Sequence, residues 1–281
     1  MNQNIKPALH HSMLATLSKC GMQVYYRWVE NIKIPPSFAL HVGSAVHRAA
    51  ELDLRRKMET GQQAHLAEVV DRARDSLGLA VEGDGVLLSP EEKTVGIKTL
   101  VAEAQDEAAS LARLHHAELT PVLAPIAVEK KMRLELGGFP FDLEGTVDVQ
   151  ETKAIFDLKT ASRAPGESDA EGHPQLETYA MMLSKHGETA ETIGLNTLVK
   201  SKTGKPKLAR VTARAPRVYD HVVRRIEAAA HTIQAGAFYP ADPTGPSGWV
   251  CTEKFCGYWN LCPFGRARRV SVSMSTNEER T

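Results

Sequence analysis

Residues 126–160 constrain the fold of this chain more tightly than any other stretch. IAVEKKMRLEL (126–136), FPFDLEGTVDV (139–149) and KAIFDLKT (153–160) alternate apolar and polar residues, though imperfectly. Gly137-Gly138 and Gln150-Glu151 supply hairpin tips, so a three-stranded meander is expected. Asp157 and Lys159 then project to one face, because side chains on a strand alternate with period two. A hairpin brings Asp148, at the end of the preceding strand, beside Asp157. Two carboxylates and an ammonium converge at the edge of a sheet.

Hard divalent cations suit such a place, since Mg²⁺ and Mn²⁺ take oxygen ligands and keep several waters. A metal there polarises a phosphoryl oxygen and acidifies water, and Lys159 orients that water or offsets charge developing on a phosphate. Without a metal the carboxylates repel and one tends to stay protonated. Surface salt bridges give the same Asp-x-Lys pattern. Ile155, Phe156 and Leu158 argue for an interior strand instead, where charged residues need a reason.

The meander sits between helices. Residues 12–30 are predicted as one helix with Ser12 as N-cap and Gly21 as a weak point, ended by Pro35-Pro36. Helices follow at 43–59, 62–80 and 91–117, the last two separated by the Gly83-Asp84-Gly85 turn. After the strands come a helix at 174–185 with Pro174 in its first turn, strands at 193–199 and 207–213, and a helix at 216–235. The polar tail 270–281 is expected to be disordered. This order predicts an α/β core, residues 121–235, behind a helical part, residues 12–118, in a single domain spanning 1–269.

Two further side-chain groups bear on chemistry. Gln175 and Tyr179, at i and i+4, share one helical face and suit contact with a nucleic-acid backbone or with Lys159; a buried helix–sheet tyrosine is the other reading. His47 follows the small residues Gly43, Ser44 and Ala45, which permit close packing, and its imidazole is a metal-ligand candidate among 11 histidines.

The four cysteines are placed unevenly: Cys20 alone, then Cys251, Cys256 and Cys262 followed by Pro263. The first residues hold no apolar signal region, so secreted disulfides are not expected and a cytoplasmic protein is. A four-thiolate metal site remains. Zinc favours paired knuckles, and three-plus-one spacing with a following proline favours an iron–sulfur cluster, with zinc as the alternative. Ligating all four ties the N-terminal helix to the region 249–265.

Charge does not point to a partner class, because 34 Lys+Arg balance 34 Asp+Glu. Nucleic-acid binding would need a local patch. The loop carrying Lys200, Lys202, Lys205 and Lys207 is one candidate, and Arg266, Arg268 and Arg269 are a weaker one; solvated charges are the alternative for both. No apolar run is long enough for a membrane helix.

Taken together and in order, Cys20, Gly43/His47, Gly145/Asp148, Asp157/Lys159, Gln175/Tyr179 and Cys251/Cys256/Cys262 resemble the motif series of the PD-(D/E)XK nucleases. The likeness is to their RecB-like exonuclease branch with a [4Fe–4S] cluster, which includes CRISPR-associated, AddB-type and phage recombination exonucleases. Each motif is weak and the ordered set is strong. Val147 replaces the usual proline and Asp157 the usual glutamate, both within the family's range.

The resemblance implies a restriction-endonuclease-like fold: a mixed central sheet flanked by helices, with a C-terminal cysteine cluster. His47, Asp148, Asp157 and the Leu158 carbonyl would bind Mg²⁺ or Mn²⁺, Lys159 would be the catalytic lysine, and Glu129 would fill the first-strand acid position. The expected activity is metal-dependent exonucleolytic cleavage of DNA in recombination, repair or phage DNA processing. Expected partners are DNA and a single-strand annealing, helicase or CRISPR-adaptation protein. The rival reading is a non-catalytic DNA-binding scaffold with the same fold, and the intact Asp148–Asp157–Lys159 set argues against it.

Overall fold

Six strands form a mixed sheet with helices on both faces in the computed structural model, which describes residues 7–201, 204–242 and 244–265. The strands are β1 (Ala8–His10), β2 (Ala127–Glu135), β3 (Asp142–Gln150), β4 (Ala154–Ala161), β5 (Thr192–Val199) and β6 (Lys207–Arg214). The β2–β3, β3–β4 and β5–β6 pairs are antiparallel, while β1–β3 and β4–β5 are parallel. This is the mixed α/β architecture expected of the chain.

On one face lie α3 (Phe38–Thr60), α4 (Leu66–Asp84) and α5 (Ile97–Leu114), packed through Val42, Val46, Leu54, Leu77 and Leu111 onto Val128, Val149, Phe156 and Leu158. On the other lie α1 (His11–Leu17), α6 (Pro174–Lys185) and α7 (Asp220–Gln234), packed through Met13, Leu176, Met182 and Ile226 onto Leu143, Val147, Ile155 and Ile193. The far half of α3 is fixed by polar contacts. Buried Asp53 accepts hydrogen bonds from the Ala64 N–H and the Thr120 hydroxyl, and Lys57 donates to the carbonyls of Thr120, Pro121 and Leu123.

Strand β3 shares one of its edges between two partners. β1 pairs with its start (142–144) and β4 with its last two residues, Val149 opposite Phe156 and Gln150 opposite Ile155. Between these pairings the sheet forks. The other edge of β3 has a crease at the same level: the β2–β3 register runs through Val128↔Val149 and Lys130↔Val147 and skips Glu129 and Asp148. Glu129 takes φ 51°, in the left-handed region that costs a non-glycine residue of order 1 kcal/mol. Val147 and Val149 are two residues apart and a regular strand would keep them on one face, yet they sit in opposite cores, as do Met132 and Val128. Both strands therefore change face at Glu129 and Asp148.

The expected single helix over 12–30 is corrected. The chain forms the short β1, then α1, then an extended Cys20, then α2 (Gly21–Val24) and a π-helical turn to Val29. Ser12 lies inside α1 and is not its cap; its carbonyl accepts from the Thr16 hydroxyl. The break has a packing cause. A Cβ on Gly21 would lie 2.8 Å from the Tyr239 backbone nitrogen, so the two segments touch backbone to backbone. The expected tail, residues 270–281, and Arg266, Arg268 and Arg269 lie outside the described residues.

Candidate active site

The fork between β3 and β4 and the crease beside it gather the charged residues. Where the β3–β4 ladder stops, the Asp148 carboxylate takes its place, Oδ2 accepting a 2.7 Å hydrogen bond from the Leu158 N–H. From α3 on one side, Nε2 of His47 lies 2.8 Å from the Leu158 carbonyl oxygen. Its Nδ1 lies 3.7 Å from Asp148 Oδ1 and 3.8 Å from Glu129 Oε1. Ligand atoms of His47, Glu129 and Asp148 all fall within 4.8 Å of one another.

On the other side of the fork, buried Asp157 Oδ2 stands 2.8 Å from Lys159 Nζ. Lys159 donates to Gln175 Oε1 at 2.9 Å, and Gln175 Nε2 donates to the Tyr179 hydroxyl at 3.0 Å. Gln175 and Tyr179 thus form a relay that fixes the ammonium. Gly145 makes room for it: a Cβ there would sit 2.5 Å from Tyr179 Cε1 and 3.4 Å from the Met182 sulfur. Gly145→Ala is expected to destabilise the fold by about 1–3 kcal/mol through overpacking and to lower kcat by displacing Tyr179. Thermal denaturation and steady-state kinetics check this, and wild-type values in both contradict it.

The electrostatics fit a cation site. Burial alone would lower the His47 pKa, but the hydrogen bond to Glu129 and the charges of Asp148, Asp157 and Glu129 outweigh it and raise it to about 9. Asp148 is raised to about 7, by burial first and the Asp157 charge second, against the pull of His47 and the Leu158 N–H. Near neutral pH the cation-free cluster therefore holds protons that a divalent metal must displace. Raised pKa values mean the protons leave as pH climbs through about 7 and then about 9. Metal affinity is expected to rise from pH 6 to pH 9 by up to about tenfold per unit for each proton displaced. Titration calorimetry in buffers of differing ionisation enthalpy measures it, and an affinity independent of pH contradicts it.

The donor chemistry, two carboxylates, an imidazole and the Leu158 carbonyl, suits Mg²⁺ or Mn²⁺. Asp157 is paired with Lys159, and its charge also acts on His47 and Asp148. Glu129 entered the sequence reading only through family resemblance, and here it is one of three clustered residues that could hold a cation. Its signal was a lone acid at the start of an alternating strand, which is common on surfaces. A cleft of about 1060 Å³ opens beside Lys159 and Gln175, and its lining includes His11, Lys19, Lys131 and His173. A second, about 600 Å³, opens on the His47–Glu129 side and also reaches Lys159. His11 is held near pKa 4 by burial, with the charges of Lys159 and His173 adding to it. His11 and Lys19 went unnoticed in the sequence because β1 and α1 are brought to the sheet by long-range pairing.

The lysine loop is partly committed elsewhere. Lys200 pairs with Glu107 at 2.9 Å, Lys207 opens β6 opposite Val199, and Lys202 lies outside the described residues.

The four cysteines form no disulfide among the described residues; all are buried and gathered in one cluster with Tyr26, Trp259 and Val250. Tyr26 stacks on Tyr258 at 5.3 Å, and the Tyr258 hydroxyl donates to the Ile32 carbonyl, so the N-terminal segment is joined to the C-terminal one around the thiols.

The PD-(D/E)XK nuclease superfamily model matches residues 8–263, nearly the whole described chain. The chain belongs to the PD-(D/E)XK nuclease superfamily. The matched span contains Asp148 and the Asp157-Leu158-Lys159 triplet. A solved structure named "Putative exonuclease", from Eubacterium rectale, is similar at 14% identity over 85% of this chain and 86% of that one, with a TM-score of 0.48. A likeness of that degree leaves the assignment to the family match. Comparison with curated proteins returns no match. Among the described residues no helix is long and apolar enough to cross a membrane.

Proposed function

We propose that this PD-(D/E)XK protein is a Mg²⁺- or Mn²⁺-dependent deoxyribonuclease of the RecB-like iron–sulfur branch, acting as an exonuclease in DNA recombination, repair or phage DNA processing. The observation that carries the reading is Lys159, held between Asp157 and Gln175 and shared by two clefts, one lined by Gln175 and Tyr179 and the other by His47 and Glu129. His47, Glu129, Asp148 and Asp157, with the Leu158 carbonyl, would hold the cation. When bound, a divalent cation supplies a Lewis acid for the phosphoryl oxygens and acidifies water toward neutral pKa. Lys159 faces the cleft and offsets negative charge on the scissile phosphate. Tyr179 is pushed up to about 12 by burial, so it keeps its proton and accepts from Gln175 without competing for Lys159. Lys19 and Lys131 give the cleft wall the charge a phosphate backbone requires.

The cysteine pocket supports a cluster. Four buried thiols face one space, and burial pushes Cys256 up to about 11, so a strong cation is needed to hold it as thiolate. The buried Trp259 indole N–H lines the same pocket and has no hydrogen-bond partner among the described residues, a donor that sulfur acceptors of a cluster would satisfy.

We also place the protein in the cytoplasm, with DNA and a single-strand annealing, helicase or CRISPR-adaptation protein as partners. End-labelled linear DNA and closed circular DNA, incubated with Mg²⁺ or Mn²⁺, test the exonuclease reading. Mononucleotides or short oligonucleotides from the linear substrate with the circle intact are expected; nicking of the circle at equal rate contradicts it.

A further inference from the structure

Beside the cysteine cluster two large rings stand open to solvent. Trp249 and Phe255 are each 54% exposed and meet edge to face, centroids 5.3 Å apart at 89°. Solvent-facing aromatic pairs leave much apolar area in water and mark binding surfaces. Lysines flank both rings: Lys19 Nζ lies 5.9 Å from the Trp249 centroid and Lys254 Nζ, itself paired with Glu91 at 3.2 Å, 6.0 Å from that of Phe255. Lys19 also lines the cleft that holds Lys159, so the aromatic pair continues the wall of the candidate active site.

We propose that Trp249 and Phe255 form a stacking platform for single-stranded DNA, feeding an unpaired strand past Lys19 to Lys159. The inference rests on the nuclease reading and adds the strandedness of the substrate. The ligand follows from the chemistry. Rings offer faces to bases and ammonium groups offer charge to phosphates, the combination by which unpaired strands are held without sequence preference. In a duplex the base faces are covered by their neighbours and unavailable to the rings. Two rings fall well short of the roughly 1,000 Å² that a stable protein interface buries, so a protein partner fits the patch less well.

The test measures binding of the full-length protein to labelled oligothymidylate and to a blunt hairpin duplex in EDTA, so that no strand is cut. Trp249→Ala with Phe255→Ala is expected to weaken oligothymidylate binding roughly tenfold or more and duplex binding by less than about twofold. Trp249→Phe, which keeps a ring and guards against a folding artefact, should restore most of the affinity. Unchanged oligothymidylate binding in the double variant, equal weakening for both ligands, or a change in oligomeric mass in its place would overturn the proposal. Cleavage by the wild type with Mg²⁺ or Mn²⁺ is scored separately. A wild type that cuts DNA while the double variant binds normally removes the platform alone. A wild type that cuts nothing while the double variant loses oligothymidylate binding keeps the platform and removes the nuclease reading.

Discussion

Asp157→Ala and Lys159→Ala are each expected to lower the rate of DNA hydrolysis by roughly a thousandfold or more, about 4 kcal/mol of transition-state stabilisation. Asp157 is buried and its partner Lys159 is partly exposed, so removing the carboxylate lets the ammonium turn to water and leaves the fold in place. Removing Lys159 leaves buried Asp157 without its ammonium partner and leaves the apolar packing untouched. Circular dichroism should therefore match the wild type while the rate collapses. A rate within about tenfold of wild type in Asp157→Ala would remove the carboxylate from the chemistry. Asp148→Ala is a less clean probe, since it also deprives the Leu158 N–H of its acceptor.

Cys20→Ala is expected to have the largest effect on stability. Cys20 and Cys262 joined through one cluster close a loop of about 240 residues. In the chain-entropy picture a cross-link over such a loop contributes about 5 kcal/mol, comparable to the whole margin of a domain. Protein purified without oxygen should be brown, because thiolate-bound iron absorbs in the visible, and the variant should be colourless and readily proteolysed. Stoichiometric zinc in a colourless wild type would replace the cluster with a zinc pin. Full stability in Cys20→Ala would mean that the contacts of Gly21 with Tyr239 and of Tyr26 with Tyr258 hold the chain ends without it.

Local pattern made the central strands and α6 legible. Alternation placed β2, β3 and β4 within about three residues of their observed bounds, and Pro174 marked the first residue of α6. Asp157, Lys159, Gln175 and Tyr179 were readable because a strand period and a helix period each set two of them side by side. What the pattern missed depends on distant parts of the chain. β1 is three residues long and exists through parallel pairing with β3, so nothing local announces it. The helix break at Cys20 answers the close approach of Tyr239, more than 200 residues away. The crease at Glu129 and Asp148 violates the alternation used to find the strands, and that violation brings Glu129 to His47. Gly145 looked like a motif residue without a reason; the Tyr179 ring lying on it supplies one.

The central claim is that the β3–β4 fork is a cation-dependent phosphodiester-cleaving site. Its most direct test is the time course of end-labelled DNA hydrolysis by wild-type protein and Asp157→Ala, each in EDTA, Mg²⁺ and Mn²⁺. The account predicts cleavage by the wild type with either cation, none in EDTA, and none above background for the variant under any condition. Wild-type cleavage that persists in EDTA, or that the variant retains, would contradict it.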